Sequence, residues 1–269
     1  MTTARFICIG THHKTGTIWM RKVWRAISND QEIPFMQVYR PKRLADLPES
    51  GPQICVNWSS SFPRRLMNMP EARFIHIIRD PRDVLLSGMR YHRVAPLANE
   101  KFLRIPNPEW GGMTYQKYIN ALETDHERLI FEMENKHHET LEQMLKWPYG
   151  HEGAADIKYE DLIEDTDCAM FRGILEGFAI EGLDIDRAVQ SYWDLSLFGG
   201  LKKDDDRSDR VNLHVNSGAK AQWVRKMPRE IAEIYAERYA DALKTLGYAE
   251  DSSWVETCRP AAEIEAAAA

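Results

Sequence analysis

The sequence predicts a single α/β domain built on a mostly parallel sheet with helices on both faces. Two strand–loop–helix units support this prediction. An apolar run at residues 6–10 precedes a loop and an amphipathic stretch, and a second run at residues 72–78 precedes a helix with Pro81 in its first turn. Strands that alternate with helices are typical of parallel sheets, in which ligands bind beyond the carboxyl ends of the strands.

Further segments extend this pattern. QICVNW and ADIKY are predicted as two more strands. Residues 113–147 are predicted as a broken, charge-rich helical stretch in a solvated outer layer, and another helix is predicted from about Pro228 to Leu246, where Gly247 ends it. We expect one domain over residues 1–250, followed by a C-terminal tail over 251–269 that is helical or disordered.

Composition narrows the function classes. The 269 residues carry a formal net charge of -6, which disfavours an electrostatic grip on nucleic acid. Neither a signal peptide before Phe6 nor an apolar run of about 18 residues is present, so we expect no membrane segment. The four cysteines are scattered, which favours a reducing, cytoplasmic setting. Composition does not predict the oligomeric state.

The loop after the first strand has the composition of a phosphate-binding site. It reads THHKTGTIW over residues 11–19, with Lys14 just before the start of a helix. Backbone N–H groups of such a loop, together with the positive end of the helix, suit an anion. The Walker order places glycine before lysine, whereas here Gly16 follows it, and no clear metal-holding acid is available. A magnesium-dependent nucleotide hydrolase is therefore disfavoured, although the loop is P-loop-like.

A second basic position follows the run at residues 72–78. Arg79 ends that run, and Ser87 lies eight residues later, about two turns into a helix. One guanidinium and one hydroxyl can converge on a single phosphate. In the alternative interpretation, Arg79 caps the helix or pairs with Asp80 and Asp83 on the surface.

These motifs resemble the donor-binding segments of the sulfotransferase family, whose loop usually reads close to YPKSGTTW. The resemblance covers about residues 5–225. The chain has Thr15 in place of serine, and His12 and His13 in place of the aromatic residue and proline. It keeps the other main positions of the family's loop, Lys14, Gly16, Thr17 and Trp19.

The resemblance implies a donor, 3′-phosphoadenosine 5′-phosphosulfate (PAPS), and a role for each motif. The loop from Lys14 to Trp19, including Thr15, Gly16, Thr17 and Ile18, would hold the 5′-phosphosulfate, while Arg79 and Ser87 would bind the 3′-phosphate. IKYEDLI resembles the family's YEDL segment, so Tyr159 would meet the adenine together with Trp19.

A weaker match lies in HVNSGAKAQW. It aligns with the family's RKGxxGDW loop over the 3′-phosphate, and it assigns donor contacts to Ser217, Gly218 and Lys220. Part of the family's usual charge is missing there, so Lys220 or Arg210 would substitute. By position, Ser191 and Tyr192 match another nucleotide-contacting stretch of the family.

The predicted reaction is in-line transfer of a sulfuryl group from PAPS to a hydroxyl or amine of a small-molecule acceptor, without a metal. Such a transfer needs positioning and stabilisation of the leaving oxygen's charge, a role that we assign to Lys14. The family's THLP-like histidine is absent from VNWSSSFP. His13 is the predicted base, since an unperturbed histidine has a pKa of about 6.5, and an acid from a mobile loop stays an alternative.

Two alternative functions remain open. The chain could be a nucleotide-dependent kinase with a similar phosphate loop, or a binder that has lost catalysis. A metal site is disfavoured because the histidines form no HExxH motif. We expect four of them to lie on a solvated helix instead: His126, His137, His138 and His151. The sequence does not identify the acceptor. Four aromatic residues could line an acceptor cleft or pack in the core: Trp58, Phe62, Trp110 and Tyr115.

Overall fold

The computed structural model describes residues 3–98, 100–196 and 220–267. Five strands form one parallel sheet in the order β2-β3-β1-β4-β5. The strands are β1 (Phe6–Gly10), β2 (Phe35–Gln37), β3 (Gln53–Asn57), β4 (Ala72–Ile78) and β5 (Ala154–Lys158). The predicted α/β class is confirmed. The short strand β2 was not predicted, because three residues carry too little periodicity to be recognised.

The helices follow the predicted alternation. They are α1 (Thr17–Asp30), α2 (Arg64–Met67), α3 (Pro81–Val94), α4 (Tyr115–Ala121), α5 (Asp125–Glu132), α6 (His138–Leu145), α7 (Tyr159–Leu162), α8 (Ala169–Phe178), α9 (Ile185–Leu195), α10 (Trp223–Lys226), α11 (Arg229–Thr245) and α12 (Ala261–Ala266). A π-helical turn, Met133–His137, joins α5 to α6. Among the described residues, no helix is long and apolar enough to cross a membrane.

The chain divides into two compact units. The sheet unit comprises Met1–Arg79 and Lys146–Gly218, and the helical unit comprises Asp80–Leu145 and Ala219–Ala269. The sheet and the phosphate loop therefore belong to the first unit, whereas α3 and the C-terminal helices belong to the second.

The core of the sheet unit lies on both faces of the sheet. Successive side chains of a strand point to opposite faces, so Ile7 and Ile9 pack with helix α1 while Phe6 and Cys8 pack on the other side. Residues of α8 and α9 complete the first layer, and the second includes Phe62, Leu66 and Trp147. This double burial explains why the central strands β1, β3 and β4 are largely continuous apolar runs rather than alternating ones.

The helical unit has its own core, built mainly from α3, α4, α5 and α11. Trp254, Val255 and Cys258, which lie in the predicted tail, are buried in this core. The predicted boundary at residue 250 remains a prediction, but these three side chains are integral to the unit. The prediction of solvated histidines was wrong for His137, which is 1% exposed and bonds the hydroxyl of Tyr235 at 2.9 Å.

Candidate active site

The loop between β1 and α1 has the backbone geometry of an anion site. Lys14 and Gly16 both adopt positive φ angles, 64° and 98°. No side chain caps the N-terminus of α1, and its first turn carries no acidic residue. The first amides of a helix lack partners within the helix, so this uncapped end is suited to a negatively charged ligand.

The carbonyl oxygen of His12 organises this loop. It accepts from the backbone N–H of Thr15 at 3.2 Å, from the hydroxyl of Thr15 at 3.0 Å and from that of Thr17 at 2.9 Å. Thr15 and His12 are completely buried. The backbone of the predicted 5′-phosphosulfate loop is therefore held by the hydroxyls of two threonines. Lys14 and His13 are half-buried, and Ile18 is 45% exposed.

Arg79 supports the same loop at the end of β4. Its Nη1 donates to the carbonyl oxygen of Lys14 at 3.2 Å, and its Cζ lies 4.7 Å from the ring centroid of Tyr159. The guanidinium is 4% exposed, so the surface-pairing alternative does not describe it. The structure thus brings together three predicted site residues at the carboxyl ends of β1, β4 and β5.

Gly16 lies directly against Tyr159. A Cβ added at Gly16 would approach the tyrosine ring to 3.1 Å, which is closer than ordinary van der Waals contact. Two independent constraints, the positive φ and this close approach, therefore require glycine at this position.

Trp19 packs in a row of aromatic rings. Its indole stacks on Tyr192 with centroids 5.5 Å apart and meets Tyr159 edge-on at 6.3 Å. Tyr192 is completely buried, stacks on Phe171 at 4.2 Å and donates to the carbonyl of Leu162. The predicted nucleotide contact by Tyr192 was wrong, because this ring is a core residue that supports Trp19.

A buried polar chain that the sequence interpretation missed lies behind the loop. Nε2 of His12 is 2.9 Å from Nε2 of His76, and Nδ1 of His76 is 2.9 Å from Oδ1 of Asp156. His76 also stacks on Trp147 at 4.1 Å, and the indole N–H donates to the same Oδ1. The signal in the sequence was a histidine inside the mostly apolar run ARFIHII.

Ser87 lies on α3 in the helical unit. It is 6% exposed, and its hydroxyl has no hydrogen-bond partner among the residues that the structure describes. Buried hydroxyls are almost always paired, so this unsatisfied group is a candidate ligand contact. Within the helical unit, Asp83 accepts from the backbone N–H of Trp223, and Asp80 accepts from the indole N–H of the same residue.

The remaining predicted contacts are less defined. Ser217, Gly218 and Arg210 lie outside the described residues, and Lys220 is exposed. Phe62 and Tyr115 are buried in the two cores, which favours the packing interpretation for both. In the described part of the chain, no group of three or more histidine, cysteine or acidic residues could hold a metal ion.

The geometry agrees with the comparison against known families. The sulfotransferase domain family matches residues 5–247. This chain belongs to the sulfotransferase family. The predicted enzyme class, a PAPS-dependent sulfotransferase, is thereby confirmed, and the match extends over both units of the sulfotransferase domain.

Solved structures support the fold of this sulfotransferase. A retinol dehydratase in complex with androsterone and the inactive cofactor PAP is 13% identical, with 91% of this chain and 82% of that chain covered and a TM-score of 0.52. A retinol dehydratase bound to retinol and PAP is 14% identical, with the same coverage and a TM-score of 0.54. At these identities the likeness concerns the fold. Among curated proteins, none matches the chain.

Proposed function

We propose that this sulfotransferase moves a sulfuryl group from PAPS to a hydroxyl or amine of a small-molecule acceptor, with the His12–Trp19 loop holding the donor's 5′ end. The observation that carries the proposal is the uncapped start of α1, preceded by the positive φ angles of Lys14 and Gly16. Oriented amides at such a turn complement a phosphosulfate without requiring a metal.

The chain's buried polar groups fit this donor. Arg79 supplies a buried cation that can form charge-assisted bonds to a phosphate, and Ser87 supplies a buried hydroxyl with no described partner. We assign Arg79 to the donor's 3′-phosphate, while a contact of Ser87 with that phosphate stays a prediction from the sequence. The ring of Tyr159, which lies against Arg79 and Trp19, is assigned to the adenine.

Lys14 is assigned to the reaction centre. The donor supplies an activated sulfuryl group whose departure leaves negative charge on a phosphate oxygen. Lys14 would hold that charge, since its backbone is fixed by Arg79 and by the loop. Electrostatic stabilisation of this kind counts only when the cation is preorganised, which explains why a strained lysine backbone is useful here.

His13 is assigned as the base that takes the acceptor's proton. It precedes Lys14 and is half-buried, whereas the neighbouring residue His12 is completely buried. General base catalysis contributes about 10²- to 10⁴-fold to a reaction rate, so His13→Gln should lower kcat within that range. It should change little the affinity for PAP, the bisphosphate that remains when PAPS has lost its sulfuryl group. His151→Gln is the control, because His151 bonds the carbonyl of Met67 away from the loop. An unchanged kcat in His13→Gln would transfer the role to an acidic residue.

A cytoplasmic location is part of the same proposal. All four cysteines, Cys8, Cys55, Cys168 and Cys258, carry buried free thiols. Free thiols are typical of reducing compartments, which supports this location. The retinol and androsterone in the solved structures are ligands of those proteins, and they suggest apolar alcohols as the first acceptors to assay here.

The test is sulfuryl transfer from labelled PAPS to a panel of alcohols, phenols and amines. The wild type should turn over at least one acceptor, and Lys14→Ala should lose most of the rate while still folding. Lys22→Ala is the matched control, since Lys22 is exposed on α1. Saturable PAP binding without turnover of any acceptor would favour the inactive binder, and magnesium-dependent ATP binding that exceeds PAP binding would favour the kinase.

A further inference from the structure

The buried chain His12–His76–Asp156 connects an edge strand to the phosphate loop. Asp156 lies on β5, at the edge of the sheet, and its side chain is 27% exposed. His76 on β4 and His12 in the loop are completely buried. All three belong to the sheet unit. These hydrogen-bonded residues therefore connect the partly solvated carboxylate of Asp156 to His12, the residue that organises the loop.

The hydrogen bonds define one arrangement of protons. The carboxylate of Asp156 only accepts, so His76 donates from Nδ1–H. A neutral His76 then has a lone pair on Nε2, and His12 must donate to it from Nε2–H. Each residue thus fixes the tautomer of the next, as happens in sites where a carboxylate orients a histidine.

The charge state of His76 agrees with this assignment. Burial lowers the pKa of His76 below its ordinary value, and the hydrogen bond and charge of Asp156 only partly oppose that shift. The ring is therefore neutral at pH 7, with a single proton to place. Trp147 stacks on the ring and donates to Asp156, which further limits rotation of His76.

His12 transmits this constraint to the loop through its backbone. Its carbonyl oxygen receives the three hydrogen bonds from Thr15 and Thr17, and its N–H lies 2.8 Å from the Thr15 hydroxyl. The ring of His12 is completely buried and bonded to His76, so His12 is anchored through both its side chain and its backbone. A change at His76 would therefore reach the start of α1 through a shift of the whole residue His12.

We propose that His76 and Asp156 are positioning residues for the donor loop, acting through His12, and that they set the affinity for the donor. This inference rests on the proposed function of the loop. It assigns a role to the buried side chain of His76 and to its partly solvated partner Asp156, which lie behind the loop.

The first experiment separates the two hydrogen bonds of His76. In His76→Gln the new amide can accept from His12 but does not easily reach Asp156, whereas in His76→Asn it can reach Asp156 but not His12. Both variants lose the stacking on Trp147, so their losses of stability should be similar. We expect the affinity for PAP, measured by titration calorimetry, to fall about tenfold in His76→Asn and only two- to threefold in His76→Gln.

The second experiment keeps the histidine ring and changes only its anchor. Asp156→Ala removes the acceptor of His76 and Trp147, and PAP affinity should fall about fivefold. Asp156→Asn should restore most of that affinity, because both donors bind Oδ1 and an amide oxygen can replace it. Because Asp156 lies on an edge strand and is partly solvated, both variants should fold.

The control is His137→Asn, which removes an equally buried histidine from its partner Tyr235 in the helical unit. It should lower Tm and leave PAP affinity unchanged. Equal PAP affinity in His76→Asn and His76→Gln, or no rescue by Asp156→Asn, would overturn the inference. Failure of the wild type to bind PAP would instead contradict the proposed function, so the two failures are distinguishable.

Discussion

Arg79 donates a hydrogen bond to the carbonyl oxygen of Lys14 at 3.2 Å. Lys14 has a φ angle of 64°, a conformation that non-glycine residues rarely adopt, so its backbone needs support from its surroundings. One buried guanidinium thus both holds the backbone of Lys14 and faces Tyr159, the residue that we assign to the adenine.

Arg79→Ala should weaken PAP binding roughly 30- to 100-fold, because it removes a charge-assisted phosphate contact and the support of Lys14. The affinity for AMP, which lacks the 3′-phosphate, should fall much less, so the variant's preference for PAP over AMP should be smaller. Titration calorimetry with both nucleotides measures this ratio.

Arg5→Ala is the matched control for Arg79. Arg5 also donates to a carbonyl, that of Pro48 at 2.8 Å, and also lies over an aromatic ring, that of Phe6. It precedes β1, whereas Arg79 follows β4. A PAP preference that falls equally in both variants would contradict the assignment of Arg79 to the 3′-phosphate.

Ser87→Ala should separate binding from stability. The Ser87 hydroxyl is buried without a described partner, so its removal should leave the free energy of unfolding unchanged or raise it slightly. PAP affinity should nevertheless fall about tenfold. Ser28→Ala should do the opposite, since its buried hydroxyl donates to the carbonyl of Ile33 at 2.7 Å. A loss of stability in Ser87→Ala with unchanged PAP affinity would contradict the assigned role.

Gly16→Ala should damage both folding and donor binding. The alanine would be strained at a φ of 98°, and its Cβ would press on the Tyr159 ring. Gly112→Ala isolates the backbone effect, because φ is 78° there and no atom lies within 4 Å of the added Cβ. Chemical denaturation should show a loss of about 1 kcal/mol for Gly112→Ala and more for Gly16→Ala. Equal losses would show that contact with Tyr159 is unimportant.

His137 should make the protein less stable as the pH falls. Burial lowers its pKa to about 3, so the unfolded chain, with a histidine pKa of about 6.5, binds the proton first. The contribution of neutral His137 to the free energy of unfolding is complete above about pH 6.5. It is lost between that pH and about pH 3, at up to about 1.4 kcal/mol per pH unit. Urea unfolding of His137→Gln between pH 7.5 and 5 should show a smaller decline. His126 is exposed, so His126→Gln is the control. An equal reduction of the pH-dependent loss of stability in that variant would contradict this assignment.

The sequence predicted those features that depend on local pattern. The strands β1, β3 and β4 are buried on both faces and are therefore largely apolar, and the Lys14 loop and Arg79 directly follow β1 and β4. Pro81 and Gly247 marked helix boundaries because each restricts the backbone locally.

The missed features depend on contacts between distant segments. His12 and His76 are 64 residues apart, and only the parallel pairing of β1 with β4 brings them together. Burial of His137 requires Tyr235, which lies almost one hundred residues later. Charge and periodicity along one helix cannot reveal such a partner, so the sequence pattern alone favoured a solvated histidine there.

The decisive measurement for the role of Lys14 is transfer of label from PAPS to an apolar alcohol, followed in the wild type and in Lys14→Ala. We predict saturable transfer by the wild type, inhibition by PAP, and a rate at least about 100-fold lower in Lys14→Ala with PAP still bound. A Lys14→Ala variant with wild-type turnover, or a folded wild type that binds neither PAPS nor PAP, would contradict it.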